Sequence, residues 1–305
     1  MPPTEHLPAH LTAPFAPHGA VTGIGSLPTT SPIEALDFVA AFAPVLPFCP
    51  QPPAPDLLTD TLTQQLQSTE LTDKWFESYV DAIASGAFPE ARWLKSQLTG
   101  PITLAGLLSV GQPGDPGPEM ISQLAEHVSR RATQQARVLL PFGLPVVITV
   151  DEPALALMDL ENEPWVGVLL GAVFRQIRAA GALSGIHCCA TAHPGRLGSL
   201  DCDVISFDAG EGIAPTEEDG SVLSDAGRIM AFGLIGTSSV PDSPGAAFSR
   251  WLTASSTVTD PVALAARTLL TPRCGLGRSS QVEAEATFTA AAAVGDLVGQ
   301  MAASI

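Results

Sequence analysis

The sequence predicts a (β/α)8 barrel formed as a single domain by residues 20–305, behind a short irregular arm of residues 1–19. Two observations predict it and a third removes the rival. Short apolar, β-branched runs recur at about 21–26, 45–51, 92–98, 145–151, 184–189, 203–208, 230–236 and 269–274, eight in all. Helical patterns lie between most of them, notably Glu70–Ser85, Glu119–Leu140, Trp165–Ala180 and Gln281–Ala302. Strand-then-helix alternation of this kind suits a closed parallel barrel. An open doubly wound sheet would want a glycine fingerprint between a strand and a helix, but Gly23-Ile-Gly25 is followed by Pro28 and not by a third glycine.

The arm holds five prolines and the scattered histidines His6, His10 and His18 without any hydrophobic period, so it reads as irregular chain. The run Val21–Ser26 reads as a buried strand ending in a glycine turn. A helix is expected at once after it. Ser31 suits the N-cap, Pro32 the first helical position, and Glu34 stands three residues after the cap as a capping box requires. Leu36, Val39, Ala40 and Ala43 then form its buried face. Segment 111–118 is rich in Pro and Gly but sits between a strand and a helix, so it reads as a loop.

Composition limits the partners. An apolar fraction of 46% is ample for a large core, and 14 basic against 31 acidic side chains leave a net charge of −17, which repels nucleic acid and anionic membrane surfaces. No run approaches the roughly 18 apolar residues of a membrane span, and the N-terminus lacks a secretory pattern; a cytoplasmic protein is expected. Five cysteines, Cys49, Cys188, Cys189, Cys202 and Cys274, make an odd number in a long chain, which argues for reduced thiols over a disulfide framework.

In a barrel the reactive residues gather where the carboxyl ends of the strands meet. Ser26 ends the first run, Asp151 and Glu152 the run Val146–Val150, His187-Cys188-Cys189 the next, Asp208 the run Val204–Phe207, and Cys274 the last. On a strand, residues two apart share a side, so His187 and Cys189 project into one space and Cys188 points away. One imidazole and two thiolates, from His187, Cys189 and Cys274, suit Zn2+ better than a hard cation and leave a position open for exchange. Asp208 is a candidate fourth ligand. The bland alternative is a core histidine beside two buried thiols.

Six segments in order carry a resemblance to a known family: Gly23-Ile-Gly-Ser-Leu-Pro28, Gln97-Leu-Thr-Gly-Pro-Ile-Thr103, Asp151-Glu-Pro-Ala154, His187-Cys-Cys189, Val204-Ile-Ser-Phe-Asp208 and Thr271-Pro-Arg-Cys-Gly-Leu276. Together they resemble the catalytic domain of the cobalamin-independent methionine synthases and their single-domain relatives, within the superfamily that includes the uroporphyrinogen decarboxylase barrels. The resemblance implies a (β/α)8 fold and a zinc-dependent methyltransferase that activates a small thiol, homocysteine first among them. It places His187, Cys189 and Cys274 on zinc-ligand positions. It places Asp208 where the family has a ligating glutamate, one methylene longer, so Asp208 either ligates or supports the site from behind. It puts Asp151 on the carboxylate that receives the substrate amino group and Ser26 where the substrate carboxylate is held. Glu152 is a further substrate-binding candidate, with a structural carboxylate tied to a strand-end amide as its alternative.

The methyl donor follows from two departures. Only the short arm precedes the barrel, and where the family carries Tyr-Asp-x-His-Ser-Pro this chain reads Ile235-Gly-Thr-Ser-Ser-Val-Pro-Asp-Ser-Pro244, without the histidine suited to supply the proton that methyltetrahydrofolate needs. A methylated corrinoid, carried on a separate protein, ranks first as donor. Porphyrinogen decarboxylation is disfavoured, because the first ninety residues hold Lys74 as their sole basic side chain. The competing class is a non-catalytic zinc-binding or methyl-carrier-binding module of the same fold, with a closed four-ligand site in place of an open one.

Overall fold

Seven parallel strands form one curled sheet in the order β1-β7-β6-β5-β4-β3-β2. They are β1 (Ala20–Val21), β2 (Leu94–Thr99), β3 (Val146–Asp151), β4 (Leu183–Cys188), β5 (Val204–Asp208), β6 (Ile229–Ile235) and β7 (Thr268–Pro272). The computed structural model describes residues 16–53, 73–110, 117–158, 160, 163–189, 194–210, 215–224, 228–236 and 243–304. Most of the arm, most of loop 111–118, His193 and the 237–242 part of the Ile235–Pro244 stretch lie outside the described residues.

Ten helices are described: α1 (Pro32–Phe42), α2 (Lys74–Ala84), α3 (Pro101–Leu108), α4 (Pro118–Leu139), α5 (Pro164–Ala179), α6 (Gly195–Gly198), α7 (Glu217–Ser224), α8 (Pro244–Val258), α9 (Pro261–Ala265) and α10 (Gln281–Ala302). The four expected helical patterns fall on α2, α4, α5 and α10. Ser31 caps α1 by accepting from the Glu34 N–H at 3.4 Å, but the expected capping box is half made. The Glu34 carboxylate takes the Thr29 hydroxyl at 2.6 Å in place of the cap backbone. The complete box stands at α10, between Ser280 and Glu283.

Among the described residues seven of the eight expected runs contain a regular strand. The run 45–51 reads Val-Leu-Pro-Phe-Cys-Pro-Gln, and Pro47 and Pro50 bring no N–H to a ladder. It pairs through isolated parallel bridges, Phe48 with Lys95 and Ser26 with Gln51. The amides that remain are used: Cys49 N donates to Lys95 O at 2.9 Å, Gln51 N to Gly25 O at 3.0 Å, and Arg92 N to Val45 O at 2.9 Å. The first run is likewise shorter as a strand than expected, with Ser26 joined by its bridge alone.

Period-two alternation divides the buried residues into two cores. Val146, Ile148, Val150, Ile186, Cys188, Ile205 and Phe207 face the helices, within the main apolar cluster. Leu46, Val147, Leu183, Val204, Ile229, Ala231 and Leu269 form a second cluster on the concave side. Toward the carboxyl ends of the strands that concave face turns polar, with buried Lys95, Thr149, His187, Ser206 and Thr271. The apolar cluster lies toward the amino ends of the strands, and the buried polar side chains lie toward the carboxyl ends.

Candidate active site

Cys189 and Cys274 are 85 residues apart in sequence, and their sulfurs lie 3.7 Å from each other. Cys189 immediately follows β4, and Cys274 stands two residues past β7, beyond Pro272 and not on the strand as the sequence suggests. The shared S–H···S contact pulls the Cys274 thiol down and pushes the Cys189 thiol up. Cys188 is fully buried on the opposite face, as alternation requires. Cys49 and Cys202 are buried thiols too.

His187 sits on β4, buried, with Nδ1 2.9 Å from Ser206 Oγ on β5. Its Nε2 has no partner. Burial, reinforced by the Lys95 charge, pushes its pKa down to about 3, so the ring is neutral at physiological pH and one nitrogen retains a lone pair.

Asp151 ends β3 in register with His187, and its Oδ1 is a buried acceptor without a donor. Burial raises its carboxyl, opposed by the charge of Lys95, and burial lowers Lys95, opposed by Asp151. Lys95 points inward from β2, donating to Gln97 Oε1 at 2.9 Å and to Ile24 O at 3.3 Å. Sequence reasoning passed over it. The available signal is a lysine in an apolar run at the inward-facing parity of Gln97.

Glu152 goes elsewhere. It is fully buried and accepts from Ile102 N at 2.8 Å, Thr103 N at 2.8 Å and Thr103 Oγ1 at 2.6 Å. These are the orphan donors at the start of α3, and a carboxylate there also suits the helix dipole. A Cβ at Gly100 would overlap this carboxyl, so glycine is required at that approach. The structure gives Glu152 the geometry of the structural carboxylate, not that of a substrate-facing group.

Ser26 meets the Cys274 loop: Leu276 N donates to Ser26 O at 2.8 Å and Gly277 N to Ser26 Oγ at 3.3 Å. Asp208 ends β5, and both its oxygens are engaged, Oδ1 by Arg273 Nε at 2.7 Å and Oδ2 by Arg273 Nη2 at 2.8 Å. Arg273 lay within a recognised segment, yet nothing local in sequence tells that it reaches across to β5.

The zinc expectation can be tested on this geometry. Two thiolates each about 2.3 Å from a tetrahedral zinc stand about 3.8 Å apart, against the 3.7 Å observed. The unpartnered Nε2 of His187 is the right kind of third donor. Among the described residues, however, no three His, Cys, Asp or Glu side chains are assembled as a finished metal cage. The structure thus brings two of the expected ligands together, keeps His187 on β4 outside any assembled three-ligand group among the described residues and pairs Asp208 with Arg273. The donor chemistry fits zinc at the two thiols and the imidazole.

The void among Lys95, Asp151, His187 and Thr271 measures about 10 Å3, at the lower limit for one water. A ligand larger than that must sit above it, at the strand ends. A groove of about 1030 Å3 runs between α4 and α5, but none of the residues above lines it.

No family model matches this chain, and no curated protein matches it. Solved structures do. One is a B12-independent methionine synthase from Shewanella sp. W3-18-1 in complex with selenomethionine, with a TM-score of 0.58 and 16% identity over 77% of this chain and 69% of that one. The fold is similar to that of a methionine synthase. Fungal β-1,4-galactanases also align, with a TM-score of 0.41 and 12% identity over 78% of this chain and 80% of theirs; that likeness is too loose to inform function. Among the described residues no helix is long and apolar enough to cross a membrane.

Proposed function

We propose that this chain is a zinc-dependent methyltransferase that activates a small thiol, homocysteine or a close relative, and transfers to it a methyl group from a methylated corrinoid. The observation that carries the reading is the pair of sulfurs, Cys189 and Cys274, 3.7 Å apart, with the imidazole of His187 two residues before Cys189 left without a partner at Nε2. Likeness of fold to a methionine synthase supports it, as does the order of the recognised segments.

Cys189, Cys274 and His187 would hold the metal. Bound there, zinc would lower the pKa of the substrate thiol and keep it a nucleophile at neutral pH. The residues of the chain do the rest. Asp151, with a buried acceptor lacking a donor, receives the substrate ammonium, and Lys95 below offsets its charge. The cramped interior prevents the substrate from sinking past the strand ends, which aligns its sulfur for attack. The new S–CH3 bond forms as the bond from the methyl to its carrier breaks, and the thiol proton leaves to solvent.

Zinc content and X-ray absorption at the metal edge, with and without homocysteine, test the reading on protein purified under reducing conditions. One zinc per chain that gains a sulfur neighbour on adding thiol is the expected result. A zinc whose shell does not change would favour the non-catalytic module, and protein that takes up no zinc would remove the proposal.

A further inference from the structure

Cys274 lies beyond the end of its strand and is exposed, so something other than the ladder must hold it against Cys189. On its amino side stands Arg273. The Arg273 main chain is fastened to β6, where its N–H donates to Ile235 O at 3.0 Å. Its side chain passes over the end of β6 to Asp208 on β5, forming two parallel bonds of 2.7 and 2.8 Å. Room for that crossing is built in. Gly233 faces Asp208 in the β5–β6 register, and a Cβ there would stand 3.0 Å from Arg273 Cα and 2.9 Å from Phe207 O. A Cβ at Gly210 would overlap the guanidinium itself, while Gly210 N donates to Asp208 Oδ1 at 2.8 Å. The β6–β7 ladder also shifts register between Gly233 and Ile235, beside the point where Arg273 leaves it.

On the carboxyl side of Cys274, Leu276 N and Gly277 N are tied to Ser26. Cys274 is therefore tethered at both ends of a short span, by Arg273 to β5 and β6 and by Leu276 and Gly277 to Ser26. The geometry points to a clamp: the Asp208–Arg273 pair positions Cys274 against Cys189, and Asp208 acts through Arg273 instead of serving as a ligand. A guanidinium already neutralises the carboxylate, and with the Gly210 amide three of its roughly four lone-pair positions are filled. Asp208 is 10% exposed against 33% for Arg273, so removing Arg273 leaves a largely buried carboxylate without its guanidinium, and removing Asp208 releases the fork that holds Arg273 across β6. The inference rests on the proposed site only in taking Cys189 and Cys274 as its working thiols, and it holds with or without a metal.

The test uses reduced, metal-free protein and phenylarsine oxide, which binds two neighbouring thiols through two As–S bonds with loss of one water. Wild type is expected to take up one equivalent, lost in Cys189→Ser. Asp208→Asn and Arg273→Met should weaken uptake at least tenfold. Arg273→Lys keeps the charge without the fork and should fall between, with thermal melts confirming that each variant is folded. Uptake at wild-type affinity in both Asp208→Asn and Arg273→Met would overturn the clamp, as would failure of the wild type to bind. So would an Asp208→Asn protein that loses zinc as completely as Cys274→Ser while binding the arsenical normally, since Asp208 would then be a ligand. Wild type without zinc but with the predicted loss in the variants would uphold the clamp and remove the metal proposal.

Discussion

His187 and Ser206 face each other across the β4–β5 ladder, with the imidazole Nδ1 2.9 Å from the serine Oγ. If the hydroxyl accepts from Nδ1–H, the tautomer is set and Nε2 is left with the lone pair that a metal requires. Ser206→Ala is therefore expected to weaken zinc binding about tenfold or more without unfolding the protein. Competition against a chromophoric chelator measures it, and unchanged affinity would deny Ser206 this orienting role.

Cys274 and Cys188 should behave oppositely. Cys274 is exposed and Cys188 fully buried against the helices, so Cys274→Ser should strip most of the zinc and leave the melting temperature nearly unchanged. Cys188→Ala should keep full zinc and lose on the order of 1 kcal/mol of stability from the small cavity it leaves. Metal analysis and thermal melts on the two variants check both halves; wild-type zinc in Cys274→Ser would remove the central assignment.

Asp151→Asn should spare zinc and weaken an amino-thiol by about 1.5–3 kcal/mol, the range for a hydrogen bond to a charged group. Homocysteine and 4-mercaptobutyrate, which lacks the amine, give the readout. The preference for homocysteine should collapse in the variant, and if it persists the ammonium binds elsewhere.

Glu152 supplies a prediction about stability and pH. Burial pushes its carboxyl from 4.5 up to about 7, against the pull of the Thr103 and Ile102 donors. In the folded chain it therefore keeps its proton over a range where the unfolded chain has lost it. Its contribution to stability is full below about 4.5, falls as pH rises through about 7, and is level above. Glu152→Gln should abolish that slope, seen as a difference between the variant and wild-type denaturant midpoints at acid and neutral pH. Gly100→Ala, which drives a methyl against the same carboxyl, should cost about 1–3 kcal/mol.

Local chemistry made much of this protein legible from its sequence. Strand and helix alternation, the Ser31 cap with Pro32, and the inward parity of His187 and outward parity of Cys188 all follow from the geometry of short segments, which neighbouring residues determine. The strand-end placement of Asp151 and Asp208 follows in the same way, whereas Ser26 stands beyond the two-residue β1. Pro47 and Pro50, which keep 45–51 from becoming a regular strand, are equally visible in the sequence, although the apolar residues around them favour one.

Only the tertiary structure decided which side chains meet. That Cys189 and Cys274 lie 3.7 Å apart, that Glu152 turns back to the start of α3, that Arg273 crosses β6 to reach Asp208, and that Lys95 is buried near Asp151 are contacts between residues 49 to 85 apart in the chain. A side chain's role is set by the partner that satisfies its charge or hydrogen bonds, and in a curled parallel sheet that partner arrives from a different strand, selected by sheet order and register.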